Sequence, residues 1–153
     1  MNLNAADILA ENKFQFICII ALVVCIMIFK SVSRQSMKYK RIKFEIVHDL
    51  RFMEDIYLFR LDFEKNKEKY NIAVKTFEEE AERLNTFAEN LPQSRFSTMG
   101  VPEREKLFAA ADDLMLLRDY TQNYVENHSK AVDYIEKNKK IVDRIRKNMD
   151  ILE

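Results

Sequence analysis

Turn-forming residues are almost missing from this 153-residue chain: Gly100 is the one glycine, and Pro92 and Pro102 are the two prolines. A sheet domain needs clusters of such residues between its strands, so the composition speaks against a β architecture. One glycine cannot build a phosphate-cradling loop. Tryptophan is absent, and the two histidines, His48 and His128, form no Glu-x-x-His pair of the kind a di-iron bundle uses. The two cysteines, Cys18 and Cys25, lie in one apolar run and have neither a disulfide framework nor zinc-ligand spacing. With no histidine beside them they are poor candidates for nucleophilic catalysis. Formal net charge is zero, so nothing global points to nucleic acid. No enzyme activity, cofactor, metal or small-molecule substrate is expected.

What is present is apolar and helical in pattern. Residues 14–29 read Phe-Gln-Phe-Ile-Cys-Ile-Ile-Ala-Leu-Val-Val-Cys-Ile-Met-Ile-Phe, bracketed by Lys13 and Lys30. A transmembrane helix needs roughly 20 apolar residues, and Val32 together with snorkelling lysine stems extends this run to a workable span over 14–32. A cleaved signal peptide is the rival, since Ser31-Val32-Ser33 has a small-x-small form. Its leading region should be basic, yet residues 1–13 contain Asp7, Glu11 and one lysine. Lys30, Arg34, Lys38, Lys40, Arg41 and Lys43 follow the run and only Lys13 precedes it. Basic flanks stay in the cytoplasm, so residues 1–13 are expected outside a bacterial inner membrane and the C-terminal part inside. The same basic cluster is expected to face anionic lipid headgroups. Cys18, Ala21 and Cys25 make a strip of small residues on which another transmembrane helix could pack closely.

About 120 residues remain, the size of one domain. Neither proline nor glycine occurs between Phe14 and Leu91. Alternating steps of four and three connect Tyr39, Ile42, Ile46, Asp49, Met53, Ile56, Arg60, Phe63, Lys67, Tyr70, Val74, Phe77, Ala81, Leu84, Ala88 and Leu91, in phase with Phe14 to Val32. This heptad seam predicts a nearly continuous helix over 33–91. Pro92 stops it; residues 92–101 form a loop; Pro102 with Glu103 and Glu105 opens a second helix over 102–153. The second seam runs Leu114, Leu117, Thr121, Tyr124, His128, Ala131, Ile135, Asn138, Val142, Ile145, Met149 and Leu152. Polar seam residues can set register, a role that suits Asn138, whereas Lys67 reads as facing water.

Two helices of about 85 and 75 Å joined by one tight break predict an all-α, coiled-coil-like antiparallel hairpin. Its loop would stand far from the membrane as an acidic tip formed by Glu78, Glu79, Glu80, Glu82, Asp112 and Asp113, and its C-terminus would return to the bilayer. Residues 42–63 are apolar on more than one face, so Phe44, Val47, Phe52, Ile56, Leu58 and Phe59 are expected to form a partner-binding surface.

These features suit a single-pass scaffold or adaptor that assembles with itself or with membrane-complex subunits. Two alternatives share the layout. One is a phage-type lysis or pore-forming protein, which resembles spanins in architecture without a shared motif and needs the coil outside the cytoplasm. The other is a regulatory subunit of a membrane enzyme or transporter.

Overall fold

The computed structural model describes the backbone of residues 5–93, 98–127 and 131–151, and the side chains of 13, 15–93, 98–127 and 134–151. His128 and Leu152, assigned to the second seam, lie outside these residues. Every regular element described is a helix: α1 (Ala5–Phe52), α2 (Glu54–Tyr57), α3 (Phe63–Glu89), α4 (Arg104–Asn127) and α5 (Ala131–Asn148). The apolar run lies within α1, the one helix among the described residues that is long and apolar enough to cross a membrane.

The expected continuous helix over 33–91 does not form. It is interrupted at residues 53–62, where the chain reverses, and α3 returns along α1. Tyr39 stacks on Phe87 at 6.1 Å, and Arg83 of α3 reaches Glu45 of α1. The second long helix is also divided. Tyr120 on α4 stacks on Tyr134 on α5 at 5.0 Å, and Arg144 of α5 pairs with Asp113 of α4. The last helix then closes onto the first: the Tyr39 hydroxyl and the Lys43 ammonium donate to the carbonyls of Met149 and Asp150. The part of α1 after the apolar run, with α3, α4 and α5, therefore makes an antiparallel four-helix arrangement in place of a two-rod hairpin.

The seam residues nevertheless fill its core. Tyr39, Ile42, Ile46, Met53 and Ile56 are buried, as are Tyr70, Phe77, Ala81, Leu84, Ala88 and Leu91, and on the other half Leu114, Leu117, Thr121, Asn138, Val142, Ile145 and Met149. Ala73, Ala81, Ala88, Ala110 and Ala111 are fully enclosed, so the backbones of α3 and α4 can approach closely. Lys67 is exposed, in keeping with a water-facing position.

The reversal is closed by a helix end with an unusual residue. The Arg60 amide donates to the Asp55 carbonyl at 2.8 Å, and the Phe59 amide to that of Ile56 at 2.9 Å. This is a Schellman ending, whose left-handed position normally holds glycine. Here it is Phe59, at φ +53°. A side chain in that region is strained by about 1–3 kcal/mol and persists only where packing overrides the strain. Phe59 supplies that packing: its ring lies 4.3 Å from Tyr124 and within 6.4 Å of Tyr70 and Tyr134. Asp62 then starts α3, its carboxylate accepting from the Lys65 amide at 3.1 Å. Phe59→Ala keeps the strain and loses the rings, so a cost of about 2 kcal/mol is expected in chemical denaturation. Phe59→Gly relieves the strain and should cost less; the opposite order would contradict a left-handed turn here.

Candidate partner and membrane interfaces

Nothing among the described residues covers the apolar run. Phe16, Ile17, Ile19, Leu22, Ile26, Met27 and Phe29 are all exposed, Phe29 at 77%. Cys18 and Cys25 are free and exposed, and Ala21 is exposed between them. Water around such a helix is unfavourable by about 25 cal/mol for each Å² of apolar surface. Past its end the basic cluster begins. Lys30, Arg34, Lys38, Lys40 and Arg41 are exposed; Lys43 is half-buried and engaged by the Asp150 carbonyl.

The expected partner surface of residues 44–59 divides in two. Phe44, half-buried Val47, His48 and Phe52 lie on the side of α1 opposite Tyr39, Ile42, Ile46 and Leu50. Phe44 is 69% exposed and Phe52 77%. The His48 and Phe52 rings stack at 6.3 Å, and with Arg51 these residues line a shallow groove. Ile56 and Leu58, by contrast, are 5% exposed and belong to the protein's own core, and Phe59 is held in the aromatic cluster. The reversal at 53–62 turned these residues inward, and the sequence treated them as part of a straight helix.

The acidic tip is corrected as well. Phe87 stacks on Tyr39 and Gly100 lies beside Ser36, so the end of α3 and residues 98–101 sit at the end nearer the apolar run. The far end is formed by residues 53–62 and the aromatic cluster. Glu79 is exposed beside Lys75, Glu82 and Asp112 are exposed, and Glu78 is half-buried. Asp113 is buried and takes Arg144 Nε on both oxygens at 3.1 Å, an α4–α5 clasp that raises the affinity of Arg144 for its proton. Glu80 is buried, pairs with Arg83 at 3.1 Å, and through Arg83 is linked to Glu45. Asp113 and Glu80 thus serve contacts between helices, and the acids that stay exposed do not lie at the end far from the apolar run. Asn138 acts similarly: fully buried, it donates from Nδ2 to the Tyr57 carbonyl at 2.7 Å and so ties α5 to the reversal. A polar residue in a run of apolar seam positions was the signal for it.

Burial pushes the Glu80 carboxyl above its ordinary range; Arg83 offsets this in part, while Asp49 and Glu45 add to it. The Arg41 hydrogen bond, opposed by burial and aided by Arg83, holds Glu45 below that range. The two act oppositely on stability. A raised carboxyl carries its cost above the folded value and none below the unfolded one, so Glu80 lowers stability as pH rises through that interval. Glu45 contributes above the ordinary carboxyl value, and loses that contribution as pH falls through its lowered one. Glu80→Gln should therefore gain stability relative to wild type as pH rises from about 4 to 7. Urea titrations of detergent-solubilised protein across that range test this; a variant that loses ground with rising pH would mean that the Arg83 pair outweighs burial.

Among the described residues no group of histidine, cysteine and acidic side chains could hold a metal ion. Comparison of the chain with protein-family models, with curated proteins and with solved structures gives no match.

Proposed function

We propose that the protein is a single-pass membrane scaffold or adaptor: α1 crosses a membrane, its N-terminus outside, and carries a cytoplasmic four-helix body whose outer α1 face binds a second copy or another membrane-complex subunit. The observation that carries this reading is the exposure of two apolar surfaces on one unbroken helix. Residues 15–29 expose a continuous apolar surface whose length suits the hydrocarbon core of a bilayer. Below them, Phe44 and Phe52 stay exposed although the same helix buries its opposite face. Supporting the orientation is the excess of Lys30, Arg34, Lys38, Lys40 and Arg41 on one side of the run.

Two measurements test the reading. A C-terminal topology reporter should be active as a cytoplasmic fusion; activity restricted to the periplasm would sink the proposed orientation and favour the lysis-type layout. The Phe44→Ser/Phe52→Ser double variant should lower the mass of the complex solubilised from membranes while its helical signal stays that of wild type. An unchanged mass would remove this face as an assembly surface.

A further inference from the structure

We propose that the turn at residues 98–101 is a second membrane contact, with Met99 seated among the headgroups of an anionic bilayer beside the point where α1 leaves it. The proposal rests on the reading that α1 spans the membrane. It follows from depth along α1. Residues 14–32 rise about 28 Å, which matches a hydrocarbon core of about 30 Å. Ser36 lies about 6 Å further along the same helix, inside a headgroup layer of roughly 5–8 Å on each side. The turn touches α1 at that level: a Cβ placed on Gly100 would lie 3.4 Å from Ser36 Oγ. Gly100 has φ +78°, which lets the chain turn tightly there, and the Val101 amide closes the turn on the Thr98 carbonyl at 3.0 Å. Met99 stands at the corner and is 72% exposed.

Charge at this end favours anionic lipid. Arg34 and Lys38 are exposed on α1 within about 3 Å of the depth of Ser36, on the face turned away from it, and Lys30 lies nearer the apolar run. Each cation this close to an anionic leaflet gains about 1 kcal/mol. Glu103 and Glu105, exposed at the start of α4, oppose the contact. They lie beyond the turn in the chain, whereas the cations sit on the helix that enters the bilayer. Two attachments to one surface would restrict the tilt of the helical body. The outer face of α1, with Phe44 and Phe52, would then point along the membrane plane, where a neighbouring membrane protein can reach it.

The chain contains no tryptophan, so single-tryptophan variants report without background. Phe29→Trp, Met99→Trp and Phe52→Trp are each made in the full chain and reconstituted into phosphatidylcholine vesicles containing phosphatidylglycerol, with and without acyl chains brominated near the headgroup. Brominated lipid should quench emission from Phe29→Trp and Met99→Trp, both blue-shifted, but not from Phe52→Trp. Omitting phosphatidylglycerol should weaken quenching in Met99→Trp and leave Phe29→Trp unchanged. If Phe29→Trp is quenched while Met99→Trp behaves like Phe52→Trp, the turn contact is overturned and the span stands. If Phe29→Trp escapes quenching, the span fails and the turn contact fails with it. Quenching of Met99→Trp that is equal in neutral vesicles overturns the anionic requirement.

Discussion

Spin labels at His48→Cys and Glu79→Cys, with Cys18 and Cys25 replaced by serine, will report a separation below about 20 Å, since neighbouring packed helices lie about 10 Å apart and the labels add to that. A helix running unbroken through both sites would hold them about 47 Å apart. The difference is far larger than label flexibility can blur. The expectation follows from the α1–α3 pairing: Glu45 meets Arg83, and Asp49 lies close enough to Glu80 to raise its carboxyl pKa. Both labelled positions are exposed, so neither substitution disturbs the core. A distance near the longer value would overturn the reversal at residues 53–62 and restore the two-rod hairpin.

The second large effect concerns membrane residence. Ile20→Arg together with Val24→Arg places two charges in the middle of the apolar run, at a combined insertion cost of about 5–7 kcal/mol. The double variant should leave the membrane fraction and appear in the supernatant after alkaline extraction, while wild type stays in the pellet. Its helical body should survive, because no described residue of the run belongs to the core cluster. Equal retention of variant and wild type would show that something other than a spanning α1 holds the protein to membranes. The same pair separates anchoring from folding. A variant lost from the pellet but with its α3–α5 helicity intact places residues 14–32 in an anchoring role only.

The sequence by itself determined the helical class, the apolar run and many of the seam residues that the core buries. Periodicity is a local property, and local chemistry sets it. Steps of three and four bring side chains to one face whatever the chain does later, so Ile46, Phe77, Leu84, Leu117 and Ile145 were identifiable as seam residues, and all are in the core. Charge near the apolar run was equally legible. The tertiary structure alone decided where the chain reverses. Residues 53–62 contain no glycine or proline, and their reversal depends on Phe59 occupying a left-handed position that the rings of Tyr70, Tyr124 and Tyr134 make tolerable. Those rings come from α3, α4 and α5, up to 75 residues away in the chain, so no window around Phe59 contains the cause. Asp62 caps α3 through the Lys65 amide, a local signal that the seam, read as unbroken past it, leaves out. Once the reversal is in place, Ile56 and Leu58 turn from surface to core, Glu80 and Asp113 from tip to helix-joining pairs, and the 98–101 turn from the far end to the end beside the apolar run.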